Sequence, residues 1–177
     1  MAHRSRAAAT GPFRVSLSGG STPKALYELL ASRAFKERFP WRRVEWYWGD
    51  ERFVSYDHPD SNYRMVREAM LAKAPVSPEN IHPVPVDGSP DDAARRYEQV
   101  LQTAYGGTVL EPNRPLFDVM HLGLGPDGHT ASLLPGDPVL EDRSRWVAML
   151  AWPPILIAPS VLSADFARPG GRSTSIL

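Results

Sequence analysis

Cysteine is absent from this chain of 177 residues. Disulfide bridges, zinc–thiolate centres and thiol nucleophiles are therefore excluded. An excess of charge of either sign is also missing, because 20 Lys and Arg residues balance 20 Asp and Glu residues. Binding to nucleic acid or to an anionic membrane surface usually needs an excess of cations, so neither partner is expected.

Long apolar runs are missing as well. None comes close to the ~20 residues that cross a bilayer, and no apolar signal core follows the basic start Met1–Arg6. The five histidines lack the spacing of a metal-binding motif, so no metal site is expected. A hydrophobic fraction of 42% is enough for one domain with a core, which we expect in the cytoplasm.

Strand-like apolar segments alternate with segments of helical periodicity along the chain. Strands are predicted at residues 13–18, 44–48, 81–84, 117–122 and 146–150. Helices are predicted to begin near Thr22, Ser61 and Ser89, which are residue types that cap helix N-termini. This order indicates a doubly wound α/β fold, in which a mostly parallel sheet carries helices on both faces.

Three polar turns follow predicted strands, at residues 19–22, 49–52 and 123–129. Parallel strands place their carboxyl ends at one edge of the sheet, and ligands bind at that edge in such folds. The three turns are therefore expected to converge on one cleft.

The first turn is typical of an anion site and consists of Gly19, Gly20, Ser21 and Thr22. Glycines let backbone N–H groups approach a ligand, and a helix N-terminus favours negative charge. We expect Thr22 to cap the helix. The apolar face of that helix is predicted to consist of Leu26, Leu29 and Leu30. The alternative interpretation is a capped helix after a tight turn, with no ligand.

The second turn ends with Arg52, whose planar guanidinium is suited to clamp a phosphate. Asp50 or Glu51 is expected to orient it. A position directly after a strand rich in Trp and Tyr favours this functional interpretation. The alternative is a charged turn exposed to solvent.

The third turn holds Asp127 and His129, two residues apart. His129 is the candidate for proton transfer, because a free imidazole titrates near pH ~6.5. Asp127 is expected to orient the ring. The alternative is that His129 caps the helix that follows. His121, in the preceding strand, is expected to be a core or supporting residue.

Four segments of the chain form a combined pattern: SLSGGSTPKALYELL (16–30), WYWGDERFVSYDHPDSNYRMVREAML (46–71), NIHPVP (80–85) and FDVMHLGLGPDGHTASLLPG (117–136). Together they resemble the 6-phosphogluconolactonase family over about residues 13–150. The resemblance implies a Rossmann-like fold of the isomerase and lactonase type. It also implies an enzyme that hydrolyses 6-phospho-D-glucono-1,5-lactone to 6-phospho-D-gluconate, in the oxidative pentose phosphate pathway, without a metal or organic cofactor. We expect the protein to be a monomer.

The resemblance further implies roles for residues of the three turns. His129 is implied as the general base that activates water for attack on the lactone carbonyl, with Asp127 and Gly128 in support. The loop 19–22 and Arg52 are implied to hold the 6-phosphate of the substrate.

Two alternatives to this function remain. Glucosamine-6-phosphate deaminase/isomerase shares the fold, but Leu134 replaces the glutamate that the deaminase has five residues after the motif histidine. The other alternative is an inactive fragment that binds a sugar phosphate. It is motivated by two segments that the family has and this chain lacks: an earlier strand with its helix, and a later region with a phosphate-contacting lysine.

These departures predict a chain that is truncated at both ends relative to the family. We expect a flexible N-terminus over residues 1–12, a partial lactonase-like domain over 13–152, and a tail over 153–177. Residues 155–168 of that tail resemble the opening strand of ribulose-phosphate 3-epimerase. The lactonase-like part is therefore predicted to be joined to an unrelated start.

Overall fold

A computed structural model describes residues 11–111, 114–123, 138–142, 144–150 and 154–157 of the chain. Seven strands lie within these ranges: β1 (Phe13–Leu17), β2 (Val44–Trp48), β3 (Asp50–Arg52), β4 (Ile81–His82), β5 (Val119–Met120), β6 (Val147–Met149) and β7 (Pro154–Ile157).

Four helices lie within the described ranges: α1 (Ser21–Leu30), α2 (Arg33–Lys36), α3 (Asn62–Val66) and α4 (Pro90–Tyr105). Helix α3 continues as a π-helical turn over Arg67–Leu71. Short 3₁₀ turns occupy Trp41–Arg43, Pro78–Asn80 and Pro138–Glu141. None of the described helices is long and apolar enough to cross a bilayer.

The central sheet has four parallel strands in the order β4-β2-β1-β5. Strands β1 and β2 pair along their full length, from Phe13 opposite Val44 to Leu17 opposite Trp48. Parallel neighbours need crossover connections, and α1, α3 and α4 lie in the connections between these strands. The α/β fold predicted from the alternation of strands and helices is confirmed.

A second, smaller sheet differs from the prediction. Residues 49–52 were expected to be a turn, but β3 occupies Asp50–Arg52 and pairs antiparallel with β7. The strand expected at 146–150 is β6, and it pairs with β7 instead of joining the parallel sheet. A strand of three residues is stabilised by its ladder partner, and local sequence carries no signal for a partner so far along the chain. The proposed boundary between residues 152 and 153 stays a prediction.

Helix α1 begins earlier than predicted. Its N-cap is Gly20, with φ of +104°, and no side chain caps it, so the capping role expected for Thr22 is wrong. The positive φ is accessible to glycine and starts the helix at Ser21. The buried face also differs from the prediction: Tyr27 is fully buried, whereas Leu29 is 50% exposed.

The starts of α3 and α4 are as predicted. The Ser61 hydroxyl accepts a hydrogen bond from the Arg64 backbone N–H at 3.1 Å, and the Ser89 hydroxyl accepts one from the Asp92 N–H at 3.2 Å. Helix α4 ends where Gly106 adopts a left-handed conformation with φ of +78°. Side-chain capping and a C-terminal glycine are local signals, which explains why these boundaries were predictable.

Aromatic side chains of β2 form the centre of the core. Trp46, Tyr47 and Trp48 are each at most 1% exposed. Trp46 packs against Phe39 and Trp41, with ring centroids 6.0 Å away in both cases. A strand that is apolar on both faces is typical of the middle of a covered parallel sheet.

A buried tyrosine links α4 to the carboxyl end of β2. The Tyr97 hydroxyl accepts a hydrogen bond from the Trp48 backbone N–H at 2.8 Å and donates one to the Trp48 carbonyl at 3.0 Å. Burial raises the pKa of Tyr97, so the hydroxyl stays protonated and able to donate. It therefore satisfies both backbone groups of the last residue of the strand.

Replacing Tyr97 with Phe should lower the free energy of unfolding by about 1–3 kcal/mol, because two buried backbone groups lose their partner. Urea denaturation would measure the change. Tyr56→Phe is the matched control, since it removes one hydrogen bond to the Val84 carbonyl at a partly exposed position. Equal losses in the two variants would contradict a special role for Tyr97.

Candidate active site

The starts of the three predicted turns meet at one edge of the parallel sheet. The Gly49 backbone N–H donates to the Leu17 carbonyl at 2.8 Å, and the His121 N–H donates to the Ser16 carbonyl at 2.9 Å. A Cβ placed on Gly123 would lie 3.7 Å from the Ser18 hydroxyl oxygen. The second and third turns therefore begin beside the carboxyl end of β1, where the first turn also begins, as the parallel arrangement predicts.

A second buried tyrosine organises this edge. The Tyr27 hydroxyl accepts a hydrogen bond from the Ser18 N–H and donates one to the Ser18 carbonyl, both at 3.0 Å. It also lies 3.2 Å from Nδ1 of His121. The single hydroxyl hydrogen of Tyr27 is donated to Ser18, so the hydrogen between Tyr27 and His121 must come from the imidazole. We therefore assign the ring N–H to Nδ1 of His121, which donates to the Tyr27 oxygen.

Burial keeps this pair neutral. It lowers the pKa of His121, which favours the uncharged imidazole. It raises the pKa of Tyr27, with the backbone hydrogen bond from Ser18 acting in the opposite direction. His121 therefore supports the end of β1 through Tyr27, in agreement with the supporting role expected for it.

Glu51 points to the N-terminus of α3. It is 1% exposed, and one carboxylate oxygen accepts hydrogen bonds from the Asn62 N–H at 2.7 Å and from the Arg52 N–H at 2.8 Å. The other oxygen accepts from the Tyr63 N–H at 2.7 Å and from the Ser61 hydroxyl at 3.2 Å. Free N–H groups at the start of a helix attract a carboxylate, and Glu51 satisfies two of them.

The electrostatic balance at Glu51 is set by opposing effects. Burial raises the pKa of the carboxyl, and the hydrogen bonds from Tyr63, Asn62, Arg52 and Ser61 each lower it. Glu51 is thus a structural acceptor. Asp50 or Glu51 was expected to orient the Arg52 guanidinium, and Glu51 does not, because its hydrogen bond from Arg52 comes from the backbone. Asp50 acts through Asn62, whose amide nitrogen donates to the Asp50 carbonyl at 2.9 Å and lies 3.4 Å from its Oδ1.

Asn62 orients Arg52 instead, although it was not among the site residues predicted from the sequence. The guanidinium Nη1 donates to the Asn62 side-chain oxygen at 2.6 Å and lies 3.4 Å from the Asp60 carbonyl. The Asn62 nitrogen donates to the Asp50 carbonyl at 2.9 Å. Asn62 is 2% exposed and Arg52 is exposed. The only sequence signal for Asn62 was its place directly after the Ser61 cap, within the motif segment 46–71.

Gly19 is in contact with the same amide. A Cβ at Gly19 would overlap the Asn62 side chain, whose Cγ would be 2.6 Å away. Glycine is therefore required at this position by close approach. This contact places the loop 19–22 beside Asn62, the residue that holds the Arg52 guanidinium of the second turn.

The described residues include most of the predicted site. The side chains at the start of α1, Ser21 and Thr22, are exposed beside the contact between Gly19 and Asn62. Asp127, Gly128 and His129 lie outside the described residues. Among the residues that the structure describes, no group of three or more His, Asp or Glu side chains is arranged to hold a metal ion.

A surface depression of about 450 Å³ lies elsewhere, between α1 and α3. Four of its five charged side chains form ion pairs, Lys24 with Glu28 at 3.9 Å and Arg64 with Glu68 at 2.7 Å, and the fifth is Lys73. It contains none of the residues at the strand ends. We therefore place the candidate site at the strand ends and not in this depression.

Comparison with known proteins identifies the family. Residues 1–160 match the model of the family described as glucosamine-6-phosphate isomerases/6-phosphogluconolactonase. The chain belongs to this family. The match includes β7, the strand that completes the second sheet.

Individual members of the isomerase/lactonase family give the degree of similarity. The chain is 46% identical over 140 residues to a protein of Nostoc sp. named 6-phosphogluconolactonase. The aligned region covers 78% of this chain and 56% of that protein. The chain thus spans little more than half the length of this curated relative.

Solved structures of related proteins are similar to the described fold. The alignment with a solved structure named devB protein covers 88% of this chain and 66% of that chain. The two are 34% identical in sequence, and the TM-score is 0.76. The alignment with a structure of 6-phosphogluconolactonase from Thermotoga maritima covers 86% of this chain and 66% of that chain. The two are 28% identical in sequence, and the TM-score is 0.71. The described fold is therefore that of the family.

Gly19→Ala should destabilise the protein by about 1–3 kcal/mol, the usual effect of forcing an extra group into a packed site. In an Asn62→Ala background the same change should be much less harmful, because the overlapping side chain has been removed. Urea denaturation of the four variants of this double-mutant cycle gives the coupling. Additive losses would show that Gly19 is required for another reason.

Acid should destabilise the protein partly through His121. Its pKa is lowered in the folded state, so its contribution to stability is complete above the unfolded value of about 6.5 and is lost as the pH falls towards the folded value. His121→Gln should therefore show a weaker loss of stability than the unsubstituted protein as the pH falls below about 6.5. Exposed His58→Gln is the control, and an unchanged pH dependence in His121→Gln would contradict the assignment.

Proposed function

We propose that this chain hydrolyses 6-phospho-D-glucono-1,5-lactone to 6-phospho-D-gluconate. The observation that carries the proposal is the 46% identity to a 6-phosphogluconolactonase, together with the convergence of the motif turns on one sheet edge. The matched part of the chain covers 56% of the length of that relative.

The phosphate of the substrate would bind between Arg52 and the start of α1. Arg52 presents an exposed guanidinium that a buried amide holds in place. The start of α1 offers backbone N–H groups and the hydroxyls of Ser21 and Thr22, and helix N-termini favour anions. Arg52 and the loop meet through Gly19 and Asn62, so one phosphate can contact both.

Attack on the lactone would occur on the side of β5. We propose His129 as the general base that removes a proton from the attacking water, with Asp127 orienting it. His129 follows Gly123 by six residues, and six residues span at most about 21 Å, which keeps it within reach of the site. Anchoring the phosphate would hold the lactone carbonyl near this base and lower the entropic part of the barrier.

Hydrolysis of an activated ester by a histidine base needs no cofactor. A cytoplasmic location and a monomeric state stay predictions. A deaminase reaction is not proposed, because Leu134 lacks the carboxylate that the deaminase motif has at this position.

Purified protein should hydrolyse the lactone faster than the spontaneous background in a pH-stat assay. His129→Ala should lower kcat by about 10²–10⁴-fold, the usual contribution of a general base. Arg52→Ala should act mainly on KM. Asn80→Ala is the control, because it lies before β4, at the opposite edge of the sheet.

Equal rates for His129→Ala and the unsubstituted protein, both above background, would exclude His129 as the base. A rate no higher than background, in protein that unfolds cooperatively, would contradict the proposed activity.

A further inference from the structure

We propose that Asn62 is a positioning residue for anion binding by Arg52. Its neutral amide aims the guanidinium at the phosphate while leaving the positive charge of Arg52 available. The inference rests on the proposed function, since it assigns a role within the phosphate site of that reaction.

The first argument is the fixed orientation of the amide. Asn62 donates to the Asp50 carbonyl, which can only accept, and accepts from the Arg52 guanidinium, which can only donate. The nitrogen and oxygen of the amide are therefore unambiguous. With the side chain 2% exposed, the oxygen is a rigid acceptor at 2.6 Å from Arg52.

The second argument concerns charge. Within the described part of the chain, Arg52 forms no ion pair with a carboxylate. Glu51 is adjacent in sequence, but both of its oxygens accept hydrogen bonds from the start of α3 and from the Arg52 backbone. A guanidinium held by an amide keeps its full attraction for a phosphate, whereas a carboxylate in the same place would compete with the ligand.

The third argument is the contact with the loop. The Asn62 amide fills the space beside Gly19, so the side chain that holds Arg52 also packs against the loop 19–22. Asn62 thus holds the Arg52 guanidinium beside the loop that forms the other half of the phosphate site. An aspartate here would pair with Arg52 and lose the hydrogen bond to the Asp50 carbonyl.

A double-mutant cycle tests the role. Asn62→Ala should weaken binding of 6-phosphogluconate, measured by calorimetry, by about tenfold, the loss of one hydrogen bond to a charged group. Arg52→Ala should weaken it at least as much. Adding Asn62→Ala to Arg52→Ala should change binding by less than about twofold, because Asn62 acts through Arg52. In lactone hydrolysis, Asn62→Ala should raise KM more than it lowers kcat.

Asn62→Asp separates charge from folding, since it keeps the size and the acceptor oxygen. It should weaken binding more than Asn62→Ala does, and Asn80→Ala should leave binding unchanged. Thermal unfolding of each variant shows that it is folded. Additive losses in the cycle, or an Asn62→Asp variant that binds as well as the unsubstituted protein, would overturn the inference.

Inorganic phosphate as a second probe distinguishes this inference from the proposed reaction. If the protein binds phosphate through Arg52 and Asn62 but does not hydrolyse the lactone, the proposed function fails and the positioning role stands. If it hydrolyses the lactone while Asn62→Ala behaves like the unsubstituted protein, the positioning role alone fails.

Discussion

Backbone groups at the carboxyl ends of parallel strands need partners that the sheet itself does not supply, and this requirement shapes the candidate site. Two helices meet it in the same way. Tyr27 on α1 pairs with both backbone groups of Ser18, and Tyr97 on α4 pairs with both groups of Trp48. The two hydroxyls fix the strand ends against their helices, so the polar turns that begin there start from defined positions.

Glu51 accepts hydrogen bonds from backbone N–H groups at a helix start, and this determines where charge lies around the candidate site. Its carboxylate is used inside the protein, on the N–H groups that open α3. The guanidinium next to it in sequence is held by a neutral amide and stays exposed. Negative charge is thus buried as a structural acceptor, while positive charge faces the solvent edge where an anion would bind.

Much of the fold could be predicted because its signals are local. Alternating periodicity gave the α/β class, and a capping serine marked the starts of α3 and α4. Periodicity does not fix the phase of a short helix, so Tyr27 and not Leu29 is the buried residue of α1. Asn62 escaped notice because its role exists only through contacts with Arg52 and Gly19, which the folded chain brings together from separate segments.

The pairing of β3 with β7 affects when the backbone of Arg52 becomes fixed during folding. Arg52 lies opposite Pro154, so the strand that carries the guanidinium pairs with a segment made much later during synthesis. Contacts between distant segments form slowly, since a long loop must close first. The parallel pair β1 and β2 can form on the emerging chain, whereas β3 can be fixed by this ladder only after β7 has left the ribosome.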